Sequence, residues 1–172
     1  VLGVASGDRD PEYPAFGVDA DTRGERVRES VDALRTLWRE DFPTIEGSWG
    51  ELDGDLTVLP EPTTDVLPLL PTGHARQSIE WIAEHGDGWR FYHLPDDTLR
   101  TYLEKWRRLA DEKPFVIAVR VELAADPDAD PEHLHLGYRA GVEWFRDYFR
   151  RLEEYGLDHV IVSLESDEPT PL

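Results

Sequence analysis

Residues 67–89, LPLLPTGHARQSIEWIAEHGDGW, decide the fold class of the chain. An apolar run predicts a strand over 66–70, with Pro68 tolerated near its start, and the residues from about His74 to His85 predict a helix. The strand ends in Thr72 and Gly73 and the helix begins at once, so the free amides of its first turn point out of the carboxyl end of the strand. This strand–helix unit predicts an α/β fold.

The same alternation extends along the chain. A capping box formed by Thr22 and Glu25 introduces an amphipathic helix that continues to Trp38. Residues 43–62 are rich in Gly and Pro and predict a hairpin-like insertion that turns at Asp53 and Gly54. The remaining predictions are strands over 1–5, 88–92, 115–123 and 157–164, a helix capped by Asp96 or Asp97, and a helix over 136–155.

Strands that alternate with helices at this spacing predict parallel pairing. Two architectures remain open, a doubly wound sheet of five strands and part of a (β/α)8 barrel. The chain begins inside a predicted strand and ends shortly after another. We therefore expect it to be a segment of a larger unit.

The net charge of the chain limits the kinds of molecule that it can bind. The 172 residues include 37 acidic and 18 basic side chains, for a net charge of −19, and Lys105 and Lys113 are the only lysines. Such a field repels nucleic acid and anionic membranes, so neither is an expected partner. Acidic residues spread over helices and loops predict a halophilic surface, adapted to high salt; the alternative is a generally acidic mesophilic protein. Without cysteine there is no disulfide or thiolate chemistry, and without a recognisable signal peptide the expected location is cytoplasmic.

Two turns could hold a ligand. After the strand at 66–70, the segment Gly73, His74, Ala75, Arg76 and Ser78 combines backbone amides with possible side-chain donors, which suits a cofactor phosphate. The alternative is that any tight strand–helix turn uses a glycine and a capping hydroxyl. After the first strand, Ser6 and Gly7 lead to Tyr13, whose ring either lines a flat cofactor or anchors the loop on neighbouring helices.

Other groups of polar residues give weaker evidence for a functional site. His133 and His135 follow several aspartates, but DPDADPEHLH is typical of a solvated acidic loop, so no metal site is predicted. Arg120 and Glu122 share one side of their strand, where they either form an ion pair or meet a ligand. No Ser-His-Asp order and no carboxylate pair stands out, so the sequence identifies no catalytic residue.

Taken together, these motifs resemble the luciferase-like flavin-dependent monooxygenases, a family that includes bacterial luciferase and deazaflavin-dependent dehydrogenases. The first half of the matching pattern consists of Gly3, Ser6, Gly7, Glu12, Tyr13, Phe16, Gly17, Arg23, Glu29, Leu37 and Trp38. The second half consists of Pro60, Pro62, Gly73, Ala83, Asp87, Gly88 and Trp89. One departure is Ala75, because many relatives carry a serine hydroxyl two residues after the glycine.

The resemblance implies a partial TIM barrel comprising strands four to eight, with residues 1–172 as a single domain and the first three strands absent. It implies FMN as the cofactor, with its phosphate near 73–78 and with Ser6, Gly7 and Tyr13 near its ring. Reduced flavin and dioxygen would then act on a small organic substrate. A deazaflavin coenzyme, which transfers a hydride, is the alternative cofactor.

Two further interpretations stay open. The first is that the chain is a non-catalytic half-barrel that acts by association. A parallel edge at Val1–Ala5 would favour pairing with another chain and thus a homo-oligomer. Alternatively it is a phosphosugar-binding barrel enzyme, although this leaves the Glu12-Tyr13 and Phe16-Gly17 pattern unexplained.

Overall fold

The computed structural model describes residues 1–64 and 67–164, which form two compact units, Val1–Asp87 and the segment from Gly88 onward. Val66, which belongs to the predicted strand at 66–70, lies outside the described residues, as do residues 165–172. The first unit contains β1 (Leu2–Val4), α1 (Glu12–Ala15), α2 (Arg23–Leu37), β2 (Thr44–Gly47), β3 (Gly50–Asp53), β4 (Leu69–Pro71) and α3 (Ile79–His85). The second contains β5 (Trp89–Tyr92), α4 (Asp96–Ala110), β6 (Phe115–Leu123), β7 (Glu132–Leu134), β8 (Gly137–Ala140), α5 (Val142–Glu154) and β9 (His159–Leu164).

The first unit is built on the parallel pairing of β1 with β4, in which Leu2 lies opposite Leu69 and Val4 opposite Pro71. Helix α2 covers this pair because Val27 and Val31 share a buried core with Leu69. The amphipathic pattern of the helix therefore predicted the buried face.

Asp87 ties the end of α3 to β4. Its Oδ2 accepts hydrogen bonds from the Leu69 amide at 2.9 Å and from Arg35 Nη2 at 3.0 Å. Arg35, on α2, also donates to the carbonyl of His85 at 2.7 Å. Asp87, with Arg35, thus joins β4 to α2 and to the end of α3.

The capping box predicted at the start of α2 is wrong. The Thr22 hydroxyl donates to the carbonyl of Asp19 at 2.9 Å instead of accepting from the helix, and the helix has no side-chain cap. A 3-10 turn over Ala20–Thr22 precedes the helix, and the Asp19 side chain accepts from the amide of Asp21. Asp19 supplies the acceptor one turn earlier than the sequence pattern indicates.

The predicted insertion is a hairpin, but it turns elsewhere. Antiparallel strands β2 and β3 place Gly47 opposite Gly50, so the turn lies at Ser48 and Trp49 rather than at Asp53 and Gly54. The hairpin docks on α2 because Glu29 Oε2 accepts from both the amide and the hydroxyl of Ser48, at 3.0 and 2.6 Å. These bonds lower the pKa of Glu29. The Asp53-Gly54 pair that predicted the turn lies instead at the end of β3, where Gly54 adopts a φ of 73°.

The second unit contains a mixed sheet. Strands β5, β8 and β9 each pair in parallel with β6, and β7 pairs antiparallel with β8. Alternation along β6 gives one face to Phe115, Ile117, Val119 and Val121, all buried. Trp89 of β5 packs beside this face, 5.1 Å from the ring of Phe115 and 5.3 Å from that of Trp106 on α4. On the opposite face Arg120 forms an ion pair with Glu122.

The helix predicted over 136–155 begins later, at Val142. Residues 137–140 first form β8, whose Gly137 lies opposite Arg120. A Cβ at Gly137 would lie 1.9 Å from the carbonyl oxygen of Arg120, so the pairing requires glycine. Because this long-range contact forms the strand, the local helical pattern did not reveal it.

Among the described residues, no helix combines the length and hydropathy needed to cross a membrane.

We expect stability to rise with salt, because repulsion within a net charge of −19 opposes the compact state. The Debye length falls from about 10 Å at 0.1 M to about 3 Å at 1 M salt, which removes most repulsion between exposed carboxylates. Thermal unfolding in increasing KCl should therefore show a rising Tm. A sucrose series controls for excluded solute, and a Tm that stays flat in KCl would contradict the expectation.

Candidate functional site

The two turns predicted to bind a ligand meet at one edge of the first unit. Because β1 and β4 are parallel, the segments that follow them leave from the same end. The amide of Thr72 donates to the carbonyl of Val4 at 2.7 Å, which joins the two strand ends directly. Residues 6–7 and 72–78 therefore form one region, which we call the β1–β4 edge.

Residues 73–78 do not begin a helix, contrary to the prediction of a helix from His74. Gly73, Ala75 and Arg76 have φ angles of 60°, 47° and 60°, and α3 begins at Ile79. The Ser78 hydroxyl accepts from the amide of Trp81 at 3.1 Å and caps that helix. Backbone turns of this left-handed kind can direct amides into an anion-binding concavity. Two successive non-glycine residues in this conformation cost about 1–2 kcal/mol each, so contacts elsewhere must hold them.

Gln77 supplies those contacts. The residue is only 6% exposed. Its Nε2 donates to the carbonyls of Gly24 at 2.8 Å and Ala75 at 3.1 Å, and its Oε1 accepts from Arg28 Nε at 2.6 Å. Gly24 eases this approach, since a Cβ there would lie 3.2 Å from the Cβ of Arg76, a tight contact. Gln77 is not among the predicted site residues, because its place in an apparently helical stretch gave no signal.

Tyr13 anchors the loop that follows β1. Its hydroxyl donates to the carbonyl of Ser6 and accepts from Arg23 Nη1, both at 3.1 Å. Gly7 lies against it with a φ of 78°, and a Cβ at that position would come within 2.9 Å of the hydroxyl. Of the two roles considered for Tyr13, loop anchoring is directly visible.

Arginines converge beside the β1–β4 edge. An open cavity of about 290 Å³ is lined by Ala20, Asp21, Arg23, Gly24, Glu25, Arg28 and Arg76. Three guanidinium groups against two carboxylates make this a locally basic place in a strongly acidic chain. Arg76 lines the cavity itself, whereas Ser6, Gly7 and Tyr13 connect to it through Arg23. Guanidinium groups bind phosphate oxygens with charge-assisted hydrogen bonds.

The first histidine of the acidic loop makes an aromatic contact. His133 packs against Tyr138, with ring centroids 4.8 Å apart. Over residues 1–64 and 67–164, no group of three or more His, Asp or Glu side chains is arranged to hold a metal ion.

A second polar cluster lies inside the second unit. The ring of His93, just after β5, is 4.8 Å from that of Tyr138 and 6.5 Å from that of Tyr148 on α5. Tyr148 is 1% exposed, and within the described part of the chain neither its hydroxyl nor His93 Nε2 has a hydrogen-bond partner. Burial raises the pKa of Tyr148, with Tyr138 and Asp96 adding to the effect. Burial also lowers the pKa of His93, reinforced by His133 and opposed by Asp96, so both side chains are neutral near pH 7.

Comparison with known proteins gives a consistent picture. A family described as luciferase-like monooxygenase matches residues 1–159. An uncharacterized protein of Mycobacterium tuberculosis is 29% identical over 122 residues, which cover 69% of this chain and 41% of that protein. The oxygenase component of a flavin-dependent trigonelline monooxygenase from Acinetobacter baylyi is 22% identical over 166 residues, covering 85% and 44% of the two chains. The chain thus spans about two fifths of the length of these relatives.

Solved structures share the fold. An F420-dependent secondary alcohol dehydrogenase, solved with an F420-acetone adduct, superposes with a TM-score of 0.73 at 18% identity, over 96% of this chain and 64% of that one. DmoA from Hyphomicrobium sulfonivorans gives a TM-score of 0.70 at 12% identity, over 94% and 56%.

Replacing Tyr148 by Phe should raise the free energy of unfolding by about 1 kcal/mol, because a buried hydroxyl without a partner is destabilising. Tyr155→Phe is the matched control, since it removes a hydroxyl that donates to Asp96 Oδ2 at 3.2 Å and should lower stability. Urea unfolding measures both. An equal loss in the two variants would show that the Tyr148 hydroxyl is paired.

His93 should make stability sensitive to acid. Its folded-state pKa lies below the ordinary value of 6.5, so the unfolded chain binds the proton more readily. The stabilisation by neutral His93 is present above pH 6.5 and is lost as the pH falls towards the lower, folded-state pKa. His93→Gln should therefore lose less unfolding free energy than the wild type between pH 7.5 and pH 5.5. His135→Gln, at an exposed position, should follow the wild type, and identical losses in all three proteins would contradict the prediction.

Proposed function

The chain belongs to the luciferase-like monooxygenase family, as its motifs predicted, and from this membership we propose that it contributes to a flavin-dependent oxidoreductase. The proposed reaction is that of a monooxygenase, in which reduced FMN and dioxygen act on a small organic substrate. The β1–β4 edge is the proposed site for the FMN phosphate. The single observation that carries the proposal is the convergence of Arg23, Arg28 and Arg76 on the cavity beside this edge.

The local charge supports this assignment. The chain carries twice as many acidic as basic side chains, so an anion is repelled by most of the surface. A cavity with three guanidinium groups is the opposite environment, and their planar forks match phosphate oxygens. The left-handed turn through Ala75 and Arg76 adds backbone amides, which need no serine hydroxyl at position 75.

The residues divide into two roles. The guanidinium groups of Arg23, Arg28 and Arg76 hold the phosphate together with the backbone amides of Ala75 and Arg76. Ser78 adds its hydroxyl hydrogen while its oxygen caps α3. Ser6, Gly7 and Tyr13 lie nearer the flavin ring, with Tyr13 fixing the loop. The cofactor supplies the redox chemistry, while the protein orients it and excludes water.

In this proposal, β1, β4, β5, β6 and β9 correspond to strands four to eight of a TIM barrel. The extensive superposition on an F420-dependent dehydrogenase supports this correspondence, and it also makes a deazaflavin coenzyme the second candidate. Both cofactors carry a phosphate on a ribityl chain, so the arginine cavity suits either.

FMN and riboflavin differ by the phosphate alone, so their affinities test the site directly. We expect the chain to bind FMN with micromolar affinity and riboflavin at least about tenfold more weakly, as one lost charge-assisted contact predicts. Arg76→Gln should weaken FMN binding about tenfold and leave riboflavin binding unchanged. Quenching of flavin fluorescence measures these affinities.

Arg39→Gln is the control, because Arg39 is exposed, follows α2 and lies outside the arginine cavity. It removes the same charge and should leave both affinities unchanged. If neither FMN nor a deazaflavin bound with micromolar affinity, the proposed function would be wrong. Tight deazaflavin binding with weak FMN binding would favour the second candidate.

A further inference from the structure

We propose that Gln77 is a positioning residue of the phosphate site, an inference that rests on the proposed function. Gln77 does not contact the anion in this proposal. Its amide holds the left-handed turn and the Arg28 guanidinium in the arrangement that the phosphate requires.

The orientation of the Gln77 amide is determined by its neighbours. Two carbonyl oxygens, those of Gly24 and Ala75, face its nitrogen, and the Nε hydrogen of Arg28 faces its oxygen. A flipped amide would place oxygen against two carbonyls and nitrogen against a donor. The observed orientation is therefore the one that satisfies all three contacts.

The bond to Ala75 sets the direction of the next amide. In a trans peptide the carbonyl of one residue and the N–H of the following residue point in opposite directions. Because Gln77 Nε2 holds the Ala75 carbonyl at 3.1 Å, the N–H of Arg76 points away from the buried Gln77 side chain. The same bond restrains Ala75 and Arg76, whose φ angles of 47° and 60° are unfavourable without such support.

The bond to Arg28 orients a charge without cancelling it. Gln77 Oε1 occupies the Nε hydrogen at 2.6 Å, so the terminal Nη groups of Arg28 keep their donors for other partners. A carboxylate in the same place would form an ion pair and neutralise the guanidinium. Among 37 acidic residues, a neutral amide at this buried position preserves the positive character of the cavity.

The test compares Gln77→Met, which keeps the side-chain volume without hydrogen bonds, with Gln77→Glu, which keeps the shape and adds a charge. Both should weaken FMN binding by about tenfold or more and leave riboflavin binding unchanged, which a general loss of structure would not do. Trypsin cleavage after Arg76 supplies a readout without ligand. Relative to cleavage after Arg39, it should accelerate several-fold in Gln77→Met, and inorganic phosphate should protect Arg76 in the wild type but not in the variant.

Arg28→Lys keeps the charge and loses the fixed fork, so it should also weaken FMN selectively if Gln77→Met fails to fold. Unchanged FMN affinity in the folded Gln77 variants, or in Arg28→Lys, would overturn the inference while leaving the proposed function intact. If the wild type bound neither FMN nor deazaflavin, the proposed function would fail and the positioning role would fail with it.

Discussion

The parallel pairing of β1 with β4 is the constraint on which the candidate site depends. It brings together two segments that are more than sixty residues apart in sequence, and the bond from the Thr72 amide to Val4 fixes their ends. Asp87 then joins β4 to α2 and α3 through the Leu69 amide and Arg35. Only with this frame in place can Gln77 reach Gly24 on α2 and hold the strained turn.

The sequence predicted the elements that depend on local apolar pattern. The strands at β1, β4, β5, β6 and β9 and the helices α2 and α4 lie close to their predicted positions, because burial of one face imposes a regular spacing. The predicted starts of two helices, at His74 and Leu136, are wrong for the same physical reason. In each case contacts with distant residues, Gly24 and Arg120, hold the chain in another conformation for several residues.

The candidate site was predictable only in part. Gly73 has a φ of 60° in the left-handed turn after β4, and Arg76 lines the arginine cavity, but their roles as phosphate ligands stay a prediction. Gln77 and Arg28 were missed because their importance arises from a contact across 49 residues, which periodicity cannot reveal. His93 and Tyr148 were missed for the same reason, since their burial follows from how β5, β8 and α5 pack.

The acidic surface and the arginine cavity act over different distances. Repulsion of an anion by the net charge of −19 is a long-range effect, and salt at about 1 M shortens its reach to about 3 Å. A guanidinium hydrogen bond to phosphate acts within that distance and depends on geometry as well as charge. A chain of this composition can therefore bind an anion where arginines are held in fixed orientation, and salt weakens the opposing field more than the contact. For that reason the groups that orient Arg23, Arg28 and Arg76, namely the Tyr13 hydroxyl, the Gln77 amide and the left-handed turn, matter as much as the charges themselves.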